Sequence, residues 1–173
     1  LEFEGRLPEQ LGLCQDGGNL NGATRFNGNI GALAFTESLP ASLPYVLTEP
    51  RDVLITEPMG GLDILSALYH GATNIVTTHS SPLVLDAMKT VLGPFSGHLY
   101  ENHVTSFEEQ ARSFLLRTHM AFDIIQVPLA DSSRAVSSGL YGLSEEYSLT
   151  VEAFETYLGS LKSEGFLTIT QYL

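Results

Sequence analysis

Residues 52–63, DVLITEPMGGLD, limit the fold more than any other stretch. Asp52-Val-Leu-Ile-Thr56 is an apolar run without polar alternation, the pattern of a strand covered on both faces, and such strands belong to parallel sheets. The run breaks at Gly60-Gly61 into a helical pattern, LDILSALYHGA, stopped by Gly71. The same order then repeats. NIVTTH reads as a strand and SSPLVLDAMKTVLGP as a helix, with Ser81 as cap, Pro82 at the first position and Gly93-Pro94 at the end. HLYENHV is expected to be the third strand, on its alternating character, and SFEEQARSFLLRTH a helix opened by Ser106 and Glu109 at capping-box spacing. FDIIQVPL is a strand, TVEAFETYLGSLKSEG a helix from Thr150 to Gly165, and FLTITQYL a closing strand. Strand–helix alternation at this spacing predicts an α/β fold: a doubly wound, mostly parallel sheet with helices on both faces.

Residues 1–50 read differently. They are rich in Gly and Asn, and Asp16-Gly17 and Asn27-Gly28 are hairpin dipeptides, because the favoured two-residue turn needs positive φ at both centres. A small antiparallel β element is expected there, followed by a helix or linker punctuated by Pro40, Pro44 and Pro50. The chain thus divides into 1–50, a β element with its linker, and 51–173, a Rossmann-like domain.

Of the 173 residues, 43% are hydrophobic and 16% charged, enough for a well-filled core. Eight basic against 20 acidic residues give a net charge of −12, which argues against nucleic acid or an anionic membrane surface as a partner. That charge suits a small cationic ligand, but many soluble proteins without one are as acidic. Cys14 is the only cysteine, which excludes an internal disulfide framework or a cysteine zinc cluster and leaves a small buried hydrophobe. No apolar run approaches the ~18–20 residues of a membrane-spanning helix. The chain begins at Leu1 and not Met, so it is expected to be a piece of a longer protein.

In sheets of this kind ligands sit outside the carboxyl ends of the strands, where strand order reverses. Function is therefore expected at loops 56–63, 78–82, 103–107 and 128–147. The last is long and rich in Ser and Gly, either a lid or simply a mobile connection.

VLITEPMGGLDILSALYHGATNIVTTHSSPLVLDAM, FDIIQVPLADSS and GLYGLSEEYSLTVEAFETYLGSLKSEGFLTITQ together resemble the spermidine synthase-like proteins, the polyamine aminopropyltransferases. LCQDGG is similar to that family's N-terminal hairpin. The resemblance implies the class I S-adenosylmethionine-dependent methyltransferase fold behind an N-terminal β element. It also implies S-adenosylmethionine or its decarboxylated form as cofactor, aminopropyl transfer as the ancestral reaction, a homodimer, and a cytoplasmic domain of the kind attached to membrane segments.

Set on the family's pattern, the glycine-rich turn falls on Glu57-Pro58-Met59-Gly60-Gly61, with Asp63 matching an acid seen in relatives. Gly60 and Gly61 remain, but the leading small residues do not, and Pro58 brings a ring where the cofactor's tail would lie. The ribose-binding acids at the second strand's end fall on His79-Ser80-Ser81, with the helix-starting Pro82 kept. The pair that meets adenine falls on Asn102-His103, and the catalytic aspartate on Pro128, leaving Asp131 as the nearby carboxylate. Loss of a charged acceptor for ribose hydroxyls removes about 1.5–3 kcal/mol per bond. Loss of the base removes about two to four orders of magnitude in rate. The expectation is a fold retained with standard cofactor binding and catalysis lost, serving as a binding or interaction domain of a larger protein. The alternative is a divergent aminopropyl- or methyltransferase using Asp131 and the 128–147 loop.

The candidate residues are therefore Asp131 for catalysis and Glu57, Gly60, Gly61, Asp63, His79, Ser80 and His103 for a nucleoside or small cationic ligand. Glu57, His79 and His103 could form a metal or acid–base site at neighbouring strand ends, or could have drifted after the nucleotide was lost; no ligand-spacing motif is present, and no metal is assigned. Asp131 with Ser132 and Ser133 serves equally as a turn former. Tyr141, Glu145, Glu146 and Tyr147 could wall a cation pocket, or place two tyrosines in the core and two acids at a helix start.

Overall fold

The computed structural model describes residue 3 and residues 5–14, 20–128 and 147–170. Asp131, Ser132, Ser133, Tyr141, Glu145 and Glu146 lie outside the described residues, as do Asp16-Gly17 and the side chains of Cys14 and Tyr147.

An antiparallel hairpin comes first, β1 (Gln10–Cys14) with β2 (Leu20–Thr24), Gly12 opposite Gly22. Two 3-10 segments, Ile30–Ser38 and Pro40–Ser42, lead into the short helix α1 (Leu43–Leu47). The main sheet has five strands: β3 (Asp52–Thr56), β4 (Asn74–Thr78), β5 (Thr105–Phe107), β6 (Phe122–Val127) and β7 (Leu161–Ile169). Their order is β5-β4-β3-β6-β7 and every pairing is parallel, so the predicted α/β fold with a doubly wound parallel sheet is present. Helices α2 (Leu62–Tyr69), α3 (Pro82–Thr90), α4 (Leu99–Asn102), α5 (Ala111–Arg117) and α6 (Val151–Gly159) complete it.

The apolar run of β3 explains the layering. Val53 and Ile55 face one layer with Ile75, Ile124, α2, α3 and Phe26 of the N-terminal segment, while Leu54 faces the other with Val76, Ile125, Phe114 and Tyr157. A strand that alternates between two apolar layers has no face left for polar residues, hence DVLIT.

The structure departs from the sequence reading in four places, each for a local reason. Asn27-Gly28 is not a hairpin turn: Gly28 has φ +87° and Asn29 caps the first 3-10 segment through Gly31 N. HLYENHV is not a strand. Gly97 and His98 both take positive φ, Leu99 and Tyr100 are both buried, and the His98 imidazole lies 2.5 Å from the Glu101 carboxylate, closing one helical turn (α4). Ser106 does not cap α5, because it lies in β5 with its hydroxyl bonded to Thr77; the residue flanking the helix is Gln110. The last helix begins at the Thr150 cap, as expected, but ends at Gly159. Leu161 pairs with Phe122 and Ile124 with Phe166, so Gly165 sits in an irregularity of β7.

Candidate active site

The order reverses between β3 and β6, and the crevice outside their carboxyl ends is where a sheet of this kind meets a ligand. Its floor is the turn after β3. Glu57 N donates to Thr78 O (2.9 Å) and Gly61 N to Pro58 O (2.8 Å). Glu57 and Met59 take φ of +47° and +41°, a left-handed backbone that costs a side-chain-bearing residue about 1–3 kcal/mol. Two bonds hold this strained turn: Glu57 Oε1 accepts from Ser80 N (2.6 Å), and Tyr100 Oη donates to Met59 O (2.7 Å). Gly60 is needed for close approach, since a Cβ there would lie 2.2 Å from Gly22 O, so the N-terminal hairpin rests directly on the turn. Gly61, at φ +83°, starts α2.

Asp63, in the first turn of α2, is partly buried and accepts from Gln126 Nε2 (2.5 Å). Gln126 is fully buried in β6, and its Oε1 accepts from Tyr45 Oη (2.6 Å), so three elements converge on one polar chain. Burial pushes the Asp63 carboxyl up to about 6. Burial, with Asp63 adding, raises the Tyr45 and Tyr100 phenols above their ordinary range.

His79 follows β4 with only 2% of its surface exposed. Its Nε2 lies 3.0 Å from Thr77 Oγ1, which in turn donates to Ser106; the histidine nitrogen is then the donor. Its ring meets that of Tyr100 edge-on at 5.6 Å. Burial, with Lys89 adding, pulls the imidazole down to about 4, so it is neutral at pH 7. A neutral, buried, already bonded imidazole cannot do what a carboxylate does for a pair of ribose hydroxyls.

The structure therefore gathers Glu57, Gly60, Gly61, Asp63, His79 and Ser80 around one crevice. His103 is not with them. It precedes β5, whose Thr105 is level with Val76, and its ring packs edge-on against Phe26 at 5.9 Å. The loop at the carboxyl end of β5 is instead 108–110. Among the described residues no three His, Cys, Asp or Glu side chains come together as metal ligands. Pro128 directly follows β6, as read, and Asp131 lies outside the described residues. Sequence reasoning missed Tyr45, Tyr100 and Gln126. Gln126 carried the signal: a polar side chain inside FDIIQV, a strand otherwise apolar on both faces, must find a buried partner.

No protein-family model and no curated protein matches the chain. Solved structures do. A spermidine synthase from Thermotoga maritima superposes with a TM-score of 0.60 at 17% identity, covering 87% of this chain and 48% of that one. A spermidine synthase in complex with the transition-state analogue AdoDATO gives 0.60 at 19%, covering 79% and 44%. A SAM-dependent methyltransferase from Agrobacterium tumefaciens gives 0.57 at 17%, covering 98% and 55%. The fold is the Rossmann-like methyltransferase fold. The chain spans about half the length of these structures.

Proposed function

We propose that this is a binding domain built on a SAM-type transferase fold, in which standard cofactor binding and aminopropyl transfer have been lost. The observation that carries the reading is the 2.6 Å bond from Ser80 N to the Glu57 carboxylate. In this fold the gap between the first turn and the end of the second strand receives a nucleoside; here a side chain of the turn spans it. The neutral, buried His79 supports the same reading, since no carboxylate follows the second strand. What the crevice still offers is Asp63 with its Gln126–Tyr45 support, which suits a ligand with a hydrogen-bond donor or a positive charge.

Asp63 also supports a second reading, a divergent transferase, because a carboxyl raised to about 6 at the switch point is poised to exchange a proton near neutrality. Titration calorimetry and thermal shift with S-adenosylmethionine, decarboxylated S-adenosylmethionine, methylthioadenosine and spermidine separate the two. The binding-domain reading expects no nucleoside to bind at micromolar concentration. Saturable micromolar binding of any of the three nucleosides overturns it.

A further inference from the structure

A polar hollow lies at the other end of the sheet, beyond the amino end of β3. Its volume of about 400 Å³ is within the range of small-ligand sites, and Glu49, Pro50, Arg51, His70, Gly71 and Thr73 line it. Two segments build it. Residues 49–51 approach β3, held by Arg51 O, which accepts from Thr73 N (3.1 Å) and Asn74 N (2.8 Å). Residues 70–73 turn out of α2, where Gly71 takes φ +84° and a Cβ would meet nothing within 4 Å, so this side of the hollow is open space.

The side chains around it lack partners. Glu49 and Arg51 carry opposite charges, flank Pro50 and line the same hollow, yet they form no ion pair, and among the described residues neither side chain has another partner. The His70 ring stacks on Tyr45 at 5.4 Å and meets Tyr69 edge-on at 5.2 Å, with its Nε2 enclosed and unbonded. Burial lowers its pKa against the opposing pull of Glu37, so at pH 7 the ring is neutral and carries one N–H. Proteins leave an enclosed N–H without an acceptor more rarely than an enclosed lone pair, which puts the proton on Nδ1, the nitrogen that is not enclosed.

The hollow therefore offers donors from Arg51, His70 and Thr73, and one carboxylate from Glu49. We propose that it binds a free α-amino acid, whose carboxylate takes the Arg51 guanidinium and the His70 N–H and whose ammonium takes Glu49. A guanidinium fork matches a carboxylate in geometry as well as in charge. A simple anion would face Glu49 and the field of a chain carrying −12, and a simple cation would face Arg51. A zwitterion is neutral overall and satisfies both. The site is separate from the crevice and independent of what binds there.

Nuclear magnetic resonance titration of the chain tests this with glycine, L-leucine, L-glutamate and L-lysine. Acetate, inorganic phosphate and ethylamine serve as half-ligands, and circular dichroism confirms that each variant is folded. At least one amino acid should bind saturably, about tenfold or more tighter than any half-ligand, with amide shifts gathered at 49–52 and 70–74 and not at 57–63. Glu49→Gln and Arg51→Gln should each raise its dissociation constant about tenfold or more. His70 is left in place, since its ring supports Tyr45. Arg117→Gln, an equal change of charge at an exposed position of α5, should leave binding unchanged. No saturable binding of any amino acid up to about 10 mM overturns the proposal. So does a half-ligand that binds as tightly, shifts gathered at the crevice, binding that survives either variant, or an equal loss in Arg117→Gln.

Discussion

Replacing Asp63 by asparagine should stabilise the protein at neutral pH, and the size follows from the site. The carboxyl titrates near 6 in the folded protein against 3.8 when unfolded, because burial disfavours its charged form. Between those values the folded state holds a proton that the unfolded state has released. For a carboxyl with a raised folded pKa, stability is therefore full below about pH 4 and is lost as pH rises through about 6. About two pKa units correspond to about 3 kcal/mol, fully lost by about pH 7. Asparagine keeps the oxygen that accepts from Gln126 Nε2 and never ionises. It forfeits the favourable charge at the start of α2, about 0.3–1 kcal/mol. The net expectation is about 2 kcal/mol of stabilisation near pH 7, falling to about zero near pH 4.

Urea unfolding of both proteins, followed by circular dichroism from about pH 4 to about pH 8, reads this out as a difference of two free energies. The difference matters because His79 acts with the opposite sign. Its folded pKa is lowered to about 4, so its contribution is present above about 6.5 and is lost on acidification, in an overlapping window. The wild-type curve alone would show the two nearly cancelled; subtraction removes His79. A difference that is flat across the range, or Asp63→Asn less stable at pH 7 than the wild type, would refute the argument that a desolvated, titrating carboxylate sits at the switch point.

Gly60→Ala should cost about 1–3 kcal/mol or more, because its Cβ would lie 2.2 Å from the backbone oxygen of Gly22 and the hairpin must lift off; denaturant midpoints check it. Tyr45→Phe leaves the fully buried Gln126 Oε1 without its donor and should cost about 1–3 kcal/mol, read from the same unfolding curves. Glu57→Gly should melt higher than Glu57→Ala, by the equivalent of about 1 kcal/mol: both lose the bond to Ser80 N, but only glycine relieves the φ of +47°.

The frame of the fold was legible wherever the physics is local or periodic. DVLIT, NIVTTH and FDIIQV could only be strands of a doubly covered sheet. The ends of α2 and α3 were set by Gly71 and by Pro82. The stretches around 98–110 and 159–165 were not, because there long-range contacts override local pattern. The Ser106 hydroxyl prefers Thr77 on the neighbouring strand to a cap, and Leu161 is drawn into pairing with Phe122 although the helical pattern runs on to Gly165. At the site, the turn residues and His79 could be placed from the sequence, since each sits at a fixed offset from a strand end. The placement of His103 depended on the misread third strand and failed with it. Tyr45 could not be found at all, since it reaches Gln126 across 81 positions of chain.

The costs in this molecule are not spread evenly. Two of the three described left-handed backbone positions without glycine, a desolvated carboxylate and a neutralised histidine lie around the crevice at the end of β3 and β4; the third position, His98, starts α4. Elsewhere the described ion pairs behave as surface chemistry should. Lys162 sits between Asp52 and Asp123 at the opposite end of the sheet. Its bond, with that of Asn74, lowers the Asp52 carboxyl. Burial raises Asp123, but the backbone N–H groups of Asp52 and Arg51, with Lys162 adding, outweigh burial and lower that carboxyl too. A scaffold kept only for its shape gains nothing from retaining Asp63 as an acid when asparagine would fit the same bond. The strain and desolvation gathered at this crevice favour a role in which it meets a ligand over one in which only the outer surface matters. That argument is tied to the Asp63 measurement. If asparagine proves no more stable, the carboxylate costs nothing, and the preference for a ligand in the crevice loses its physical basis.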